Sequence, residues 1–346
     1  MSFNKLSKHA AILLTCLLFF GGTVIPKFLS EDTFQNSPAF LEKHIRYLIR
    51  HIDGELGIAV KHLETGTGFD INGGVSFPMA SVIKLPIFVE TMHQIKSNKL
   101  SLESWIDIQS EDQFYSGSLL SELEAPGIRL TLRNVINMMM KYSDNTATDL
   151  ILKRVGIKDV RTRMEKIGLS DISVDRTIEH LVMDYYGLDY EKYKEFSKDE
   201  FEKVYTEKKQ EDPLHFKEAA AKFSDINVDQ STPLAMNRLL EMIFKKEILD
   251  PDTCKFILDV MLDCRTGLGR IKGLLPENTP VAHKTGTVGG TVNDSGIIYL
   301  PEGSGHVALT VFSKNTSSDT RDMERVIADI ARFTYDYFTF VHRIEE

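Results

Sequence analysis

The stretch "VAHKTGTVGGTVNDSGIIYLPEGSGHVALTVFS", residues 281–313, decides the fold, because it holds three β-like runs within a short span. The runs are "VAHKT" at 281–285, "SGIIYL" at 295–300 and "HVALTVFS" at 306–313, each with the apolar and β-branched residues typical of strands. A helical pattern follows from about 320 to 341. We therefore expect three consecutive strands and then a helix late in the chain.

A matching set of elements is predicted early in the chain. A helix is expected at 37–51, a strand at 56–64 ("LGIAVKHLE"), and a second strand near 68–72 after a turn at Gly66–Gly68. The region from 81 to about 269 is rich in helix-like patterns. Two early and three late strands indicate one sheet built from both ends of the chain, with a helical insertion between them.

Composition excludes some classes of function. The chain has 346 residues, 42% of them hydrophobic, which is enough to bury a substantial core in one large or two modest domains. Its formal net charge of −9 and the lack of a clustered Lys/Arg run argue against a nucleic-acid partner. An acidic substrate would therefore need a local basic site.

The first thirty residues differ from the rest. Lys5 and Lys8 precede an uncharged apolar run over 10–25, the layout of a secretory signal or a short membrane anchor. The run is short against the ~20 residues of a spanning helix, and no clear A-x-A site follows it, so cleavage and retention both stay open. Cys16 is only a weak lipidation signal. We expect an exported protein, periplasmic or otherwise extracytoplasmic, with residues 1–30 as its signal peptide or anchor.

The remaining cysteines and the histidines suggest no metal or disulfide. Cys254 and Cys264 fall in a helix-like stretch at 251–264, where a helical rise of ~15 Å would keep them apart. Two buried free thiols are therefore expected. The ten histidines show no HExxH pattern and no C-x-x-C partner, and His62 and His283 are interpreted as ordinary strand residues. We expect a monomer without metal or cofactor.

The stretch "FPMASVIKLPIF", residues 77–88, places a charge in an otherwise apolar run. If 81–96 is a helix, Ser81 and Lys84 lie one turn apart on the same face. A serine hydroxyl is a poor nucleophile at neutral pH, and a lysine whose pKa is lowered by burial and nearby charge is a suitable base for it. At a helix N-terminus, free N–H groups would also favour the charge that develops on an attacked carbonyl.

Three short motifs have to be weighed together. S-x-x-K alone is weak, because Ser2 and Lys5 repeat it inside the export segment. However, "SDN" occurs at 143–145 and "KTG" at 284–286, in the order found in penicillin-binding proteins and class A β-lactamases. The three motifs jointly indicate a serine acyl-transfer site.

The chain resembles the class A serine β-lactamases and their penicillin-binding relatives. The likeness extends beyond the motifs to "GSLL" at 117–120, "LTLRNVINMMMKYSDNTATDLIL" at 130–152, "STPLAMNRLL" at 231–240, "LLP" at 274–276 and "KTGTVGGTVNDSGIIYLP" at 284–301. It covers roughly 37 to 342. It implies an α/β (α+β) fold with a five-stranded antiparallel sheet flanked by helices beside an all-helical subdomain, and a cleft between them. The catalytic domain would span 31–346, with its sheet part at about 37–80 and 270–346 and its helical part at about 81–269.

The resemblance also implies roles for single residues. Ser81 would be the nucleophile and Lys84 its base, and Ser143 would pass a proton to the leaving nitrogen, which suits a hydroxyl because it both donates and accepts. The positive charge of Lys284 and the hydroxyl of Thr285, both in the KTG motif, would bind a β-lactam or peptide carboxylate. The implied substrate contacts are Asn145, Lys284, Thr285, Gly286 and, as the second oxyanion donor, the backbone of Thr287.

The sequence departs from the family after residue 170, where a glutamate should activate the water that releases the acyl-enzyme. In "SVDRTIEHLVMD", 173–184, aligning Asp175 and Arg176 without gaps puts Ile178 at that place, whereas distance from Ser143 puts Glu179 there. A helix here would point these two side chains about 100° apart. Glu179 is therefore a catalytic candidate whose assignment depends on a shift of one residue.

An insertion at about 186–223 follows, dense in Lys, Glu and Tyr. A charged helical decoration is the favoured interpretation, and a lid or docking surface beside the cleft is the alternative. For function, the sequence predicts a β-lactamase-like hydrolase that forms an acyl-enzyme on Ser81. The alternatives are a D,D-peptidase-like enzyme acting on cell-wall peptides and a penicillin-binding module that deacylates slowly.

Overall fold

The structure, a computed structural model, describes residues 38–114, 117–223 and 227–345. The predicted export segment at 1–30, with Cys16, lies outside the described residues. The strands are β1 (Glu55–His62), β2 (Gly68–Ile71), β3 (Phe77–Pro78), β4 (Trp105–Ile108), β5 (Ile128–Thr131), β6 (Gln230–Ser231), β7 (Val281–Val288), β8 (Thr291–Tyr299) and β9 (His306–Lys314).

The helices follow the prediction of a helical region between two parts of a sheet. They are α1 (Pro38–Ile49), α2 (Lys84–Lys96), α3 (Leu132–Lys141), α4 (Asn145–Val155), α5 (Ile157–Lys166), α6 (Ile178–Tyr185), α7 (Tyr190–Tyr193), α8 (Lys198–Glu211), α9 (Pro213–Phe223), α10 (Pro233–Phe244), α11 (Pro251–Leu262) and α12 (Thr320–Glu345). In the part of the chain that the structure describes, no helix combines the length and the apolar character needed to cross a bilayer.

The main sheet has five antiparallel strands in the order β2-β1-β9-β8-β7. The predicted sheet built from both ends of the chain is thereby confirmed. The strand register links the central strand β9 to the KTG motif on β7, because Thr310 of β9 pairs with Ser295 of β8 and Ser295 pairs with Lys284. Strand β7 is an edge strand, so Lys284 lies where the sheet meets the helical part.

Both faces of the sheet are covered, because one apolar cluster lies on each side. On one side α1 and α12 pack on the sheet, with Met323, Ile327, Ile330 and Ala331 of α12 buried at helical spacing. On the other side the helical part forms a larger cluster around α2, which is buried on nearly every face and is therefore central. A lysine that begins such a helix is carried into the core.

Two predicted element boundaries were wrong, with consequences for the site. The predicted helix at 81–96 opens as a 3-10 turn at Ala80–Ile83, and α2 begins at Lys84. In a 3-10 turn, side chains at i and i+3 lie directly above one another. The predicted helix at 251–264 ends at Leu262, so Cys264 lies beyond α11. The prediction that Cys254 and Cys264 are buried and unpaired is confirmed.

The insertion folds into α7, α8 and α9 around an aromatic cluster of its own. Tyr193, Phe201 and Phe216 pack there with Met183 of α6 and with Phe114. The insertion is therefore attached to α6 through apolar contacts and does not stand apart from the domain.

Candidate active site

Lys84 lies fully buried between the two predicted catalytic serines. Its Nζ donates to Ser81 Oγ at 3.2 Å and to Ser143 Oγ at 3.2 Å. It also donates to the Ser143 carbonyl at 2.5 Å and to Asn145 Oδ1 at 2.8 Å. The S-x-x-K and SDN motifs, 59 residues apart in sequence, thus share one amine.

The surroundings of Lys84 favour its neutral form. Burial first, and the positive charge of Lys284 second, hold the pKa of Lys84 well below its ordinary value, while Asp144 and Asp149 act in the opposite direction. A neutral amine next to a hydroxyl can accept that hydroxyl's proton, which is the requirement for activating a serine.

Ser143 is held between two amines. Lys284 Nζ donates to Ser143 Oγ at 2.9 Å from the sheet side, opposite the contact from Lys84. Ser143 adopts φ 61°, a strained conformation for a non-glycine residue and one often found at functional sites. Its hydroxyl is therefore placed to relay a proton between groups on the two parts of the domain.

Asp144, the middle residue of the SDN motif, holds Ser143 and Asn145 in place through its hydrogen bonds. Asp144 is buried and caps α4, accepting from Ala147 N–H at 2.7 Å. It also accepts from the Ser118 hydroxyl at 2.8 Å and from Leu120 N–H at 2.9 Å, which ties the loop before it to the helix. Ser143 and Asn145 are thereby fixed on either side of the cap.

The backbone of β7 at Gly286 passes very close to the backbone of the segment that carries Ser81. A Cβ on Gly286 would lie 2.5 Å from the Met79 carbonyl oxygen and 3.1 Å from Ser81 N, so glycine is required there. Asn293 of β8 secures the same loop by donating to the carbonyls of Pro78 and Met79. The backbone of Thr287 follows directly, beside the 3-10 turn that carries Ser81.

These groups surround a cavity of about 830 Å³. The structure brings together the predicted site residues as follows: Ser81, Ser143, Asn145, Thr285, Gly286 and Thr287 line the cavity, with Lys84 and Lys284 buried behind it. Glu179 does not line it, whereas Ile178 does. Among the described residues, no group of three or more His, Cys, Asp or Glu side chains could hold a metal ion.

Arg270 is a cavity residue that the sequence analysis missed. It donates to the carbonyls of Gly286 and Asn293 and, at 2.6 Å, to Thr287 Oγ1, and it pairs with Glu324 of α12. No motif marks this arginine, and only its placement beside β7 reveals it. It braces the end of β7 and adds positive charge to this part of the cavity.

The loop before α6 is held by buried ion pairs. Arg176 pairs with Asp229 at 2.5 Å and with Asp184, and the backbones and carboxylates of Asp175 and Asp229 exchange two hydrogen bonds. Asp149 of α4 then accepts the N–H groups of Ile178 and Glu179 at 2.7 and 2.9 Å. The start of α6 is therefore fixed from both sides.

This anchoring decides which side chain of α6 meets the cavity. Ile178 is 4% exposed and lines the cavity. Burial, with the Asp149 carboxylate, raises the pKa of Glu179 to about 7, and the other charges near Glu179 belong to Lys153 and Glu195. Ile178 therefore lies at the position facing the cavity where a water-activating carboxylate was expected.

The next turns of α6 connect the cavity to the insertion. Tyr185 and Tyr186 both line the cavity. Tyr185 meets the Phe223 ring edge-on at 5.6 Å between centroids, and Tyr186 stands 4.5 Å from Tyr205 and 6.2 Å from Phe216. The insertion thus supports two cavity residues from behind, contacts that favour the alternative of a cleft-shaping role over decoration.

Comparisons with known proteins agree with this architecture. The model of the beta-lactamase enzyme family matches residues 39–338. The chain is 28% identical over 344 residues to "Beta-lactamase VEB-1" of Pseudomonas aeruginosa, covering 96% of this chain and 99% of the relative. It is 24% identical over 322 residues to "Extended-spectrum beta-lactamase PER-1" of the same organism, covering 90% and 91%.

Solved structures of beta-lactamases superpose on this chain over most of its length. A beta-lactamase from Chitinophaga pinensis superposes with a TM-score of 0.71 at 27% identity, covering 86% of this chain and 98% of the other. The TLA-3 extended-spectrum beta-lactamase superposes with a TM-score of 0.70 at 25% identity, covering 88% and 100%.

Proposed function

This chain belongs to the beta-lactamase enzyme family, and we propose that it opens β-lactams through an acyl-enzyme formed on Ser81. It is a serine hydrolase of the class A β-lactamase type. The observation that carries the proposal is the single buried amine of Lys84, which bonds to both serine hydroxyls.

Acylation proceeds by proton transfers along these contacts. The neutral Lys84 amine takes the Ser81 proton as the Ser81 oxygen attacks the β-lactam carbonyl carbon. The negative charge that forms on the carbonyl oxygen is stabilised by the N–H groups of Ser81 and Thr287. When the intermediate collapses, the carbon–nitrogen bond breaks and Ser143 gives its proton to the departing nitrogen, regaining one from Lys84.

The substrate is held by charge and hydrogen bonds on the β7 side. Lys284 and Thr285 bind the β-lactam carboxylate, and the glycine of the motif lets the backbone approach closely. Asn145 binds the side-chain amide of the substrate. These contacts supply the local basic site that an acidic protein needs for an anionic substrate.

Deacylation is the slow step in this proposal. Release of the ester needs a base within hydrogen-bond reach of the attacking water, directly or through one water. Ile178 offers none, and Glu179 serves only if α6 rotates it toward the cavity. Slow release also keeps the second candidate in view, a peptidase-like or penicillin-binding enzyme acting on cell-wall peptides.

Export completes the proposal. The charged and then apolar pattern of residues 5–25 directs the chain out of the cytoplasm, where β-lactams and cell-wall peptides are met. Sequencing the N-terminus of the exported protein distinguishes a cleaved signal peptide from a retained anchor.

Intact-protein mass spectrometry tests the nucleophile. A penicillin should add its full mass to the parent protein, and peptide mapping should place that mass on Ser81. The Ser81→Ala variant should show no adduct. An adduct on a folded Ser81→Ala protein would overturn the assignment.

A further inference from the structure

The insertion contacts a second part of the cavity wall besides α6. This part is the segment 117–122, which lies between β4 and β5 in the chain. Four of its residues line the cavity: Gly117, Ser118, Leu119 and Glu122. Two side chains near the start of α8 reach this segment or the residue that leads into it.

Lys198 is the first of these side chains, and it holds Ser121. Its Nζ donates to the Ser121 carbonyl at 2.6 Å. The buried Ser121 hydroxyl donates to the Phe114 carbonyl at 2.6 Å and lies 3.1 Å from Thr146 Oγ1. Thr146 Oγ1 also accepts the Phe114 N–H at 3.2 Å. Lys198 is thus linked through Ser121 to α4, the helix that begins with Asn145.

The stability of α8 does not explain a lysine at this position. Lys198 is the first residue of α8 after the Ser197 cap, where the helix macrodipole disfavours a positive charge. The start of the helix is already fixed by the capping box of Ser197 and Glu200. The charge-assisted hydrogen bond to the Ser121 carbonyl gives the lysine a role outside its own helix.

Phe201, one turn further along α8, packs on the residue that leads into the segment. It is 2% exposed, and its ring lies 5.6 Å from the Phe114 ring between centroids. Both rings belong to the buried cluster that contains Met183 of α6 and Phe216 of α9. The insertion therefore packs on α6 and on the start of the segment 117–122 through one continuous apolar cluster.

The segment begins beside the residue proposed to bind the side-chain amide of the substrate. Asn145 donates its N–H to the Gly117 carbonyl at 3.2 Å, and a Cβ on Gly117 would lie 2.8 Å from Asn145 Nδ2. Leu119, two residues later, is 50% exposed and lines the cavity. It offers apolar surface to the part of a substrate that extends beyond its amide.

We propose that Lys198 and Phe201 are positioning residues by which the insertion holds the segment 117–122 against α4, and that this segment determines which β-lactam side chains the cavity accepts. The second part rests on the proposed function, whereas the first does not. Without these contacts the segment would move more freely and contact a bulky side chain less well. The acylating groups would stay in place, because Asp144 still caps α4.

Amide hydrogen exchange of the ligand-free protein tests the first part. The Leu120 N–H donates to the Asp144 carboxylate and the Glu122 N–H to the Leu119 carbonyl. In Lys198→Met and in Phe201→Ala, peptides that cover 117–122 should exchange about tenfold faster, because these hydrogen bonds open more often. Lys203→Met is the matched control, since Lys203 is an exposed residue of the same helix, and it should exchange like the parent.

Unchanged exchange at 117–122 in a folded Phe201→Ala protein would overturn the proposal, whatever the protein hydrolyses. If Phe201→Ala does not melt cooperatively, Lys198→Met decides, because that change affects a partly exposed side chain.

Acylation kinetics test the second part with two substrates that share one nucleus. The substrates are a penicillin with a bulky aromatic side chain and the aminopenicillanic acid nucleus alone. In Lys198→Met, kcat/KM for the bulky penicillin should decrease about fivefold, through KM more than kcat, while the nucleus stays within about twofold of the parent. Lys198→Arg keeps a donor and should restore most of the loss.

The ratio of the two kcat/KM values separates positioning from a general loss of folded protein, because a smaller active fraction lowers both values equally. Faster exchange at 117–122 with an unchanged ratio would refute the role in substrate choice. If neither substrate acylates the parent protein, the proposed function fails, and the exchange experiment still tests whether the insertion holds the segment.

Discussion

The two walls of the cavity differ in how securely sequence and structure agree. On the acylation wall, Ser81, Lys84, Ser143 and Lys284 come from three motifs and converge within hydrogen-bond distance. On the α6 wall, formed by Ile178–Tyr185 with the insertion behind it, the expected carboxylate is replaced at the cavity by Ile178. We therefore expect acylation to use side chains that the packed core holds in place, and release of the acyl-enzyme to depend on which residue α6 turns toward the cavity.

Removing the Lys84 amine, which contacts both serine hydroxyls, should have the largest effect on acylation. Lys84→Ala is expected to slow acylation by a factor on the order of 10²–10⁴, the usual effect of losing a general base. Stopped-flow acylation by a penicillin measures the rate. Lys61→Ala is the matched control, because that lysine pairs with Glu241 on another part of the surface.

An equal loss of acylation in both lysine variants would point to a general effect of charge on stability. In that case Lys84 would no longer be supported as the base.

Exchanging side chains on α6 sharpens the contrast between acylation and release. We expect Ile178→Glu to shorten the lifetime of the acyl adduct by about tenfold or more, because it places a base at the cavity. Ile178→Gln is the isosteric control without a base. Adduct lifetimes are read by intact-protein mass spectrometry.

The complementary change tests Glu179 itself. Because its side chain does not line the cavity, Glu179→Gln should leave the adduct lifetime within about twofold. A lifetime lengthened a hundredfold or more would instead make Glu179 the water-activating base and the protein a β-lactamase with efficient turnover.

The decrease of kcat/KM at alkaline pH tests the charge of Lys284. The pKa of Lys284 is lowered to about 8, and only the protonated form attracts a carboxylate. The parent should therefore lose kcat/KM above about pH 8, roughly tenfold per unit. Lys284→Arg should retain the plateau to higher pH, because a guanidinium stays protonated. If kcat/KM decreases at the same pH in both proteins, a group other than Lys284 causes the decrease.

The smallest effect is expected from the insertion. Phe216→Ala removes a ring that supports Tyr186, and it should slow acylation by a bulky β-lactam several-fold more than acylation by a small one. Lys217→Ala, on the same helix and without a resolved ion pair, is the control. If a Gly-Ser linker in place of 186–223 leaves acylation within a few-fold of the parent in a protein that melts cooperatively, decoration is the better interpretation.

The sequence by itself predicted the sheet, which the structure confirms, and it pointed to the proposed acylation residues, because both depend on local patterns. Period-two runs define strands wherever they occur, and S-x-x-K holds Ser81 over Lys84 in any tight helical turn. The free state of Cys254 and Cys264 also followed from the local pattern. Motif order then sufficed to join Ser143 and Lys284 to the same site.

Only the tertiary structure decided what faces the cavity and what charges the buried amines. Ile178 and Glu179 are neighbours in sequence, and their directions are set by Asp149 and by the Arg176–Asp229 pair, which lie far away along the chain. Arg270 belongs to no motif, and it reaches Thr287 and the end of β7 only because the segment that carries it packs against that strand. Electrostatic interactions depend on distance and burial in space, so the pKa values that govern this site could not be read from the order of its residues.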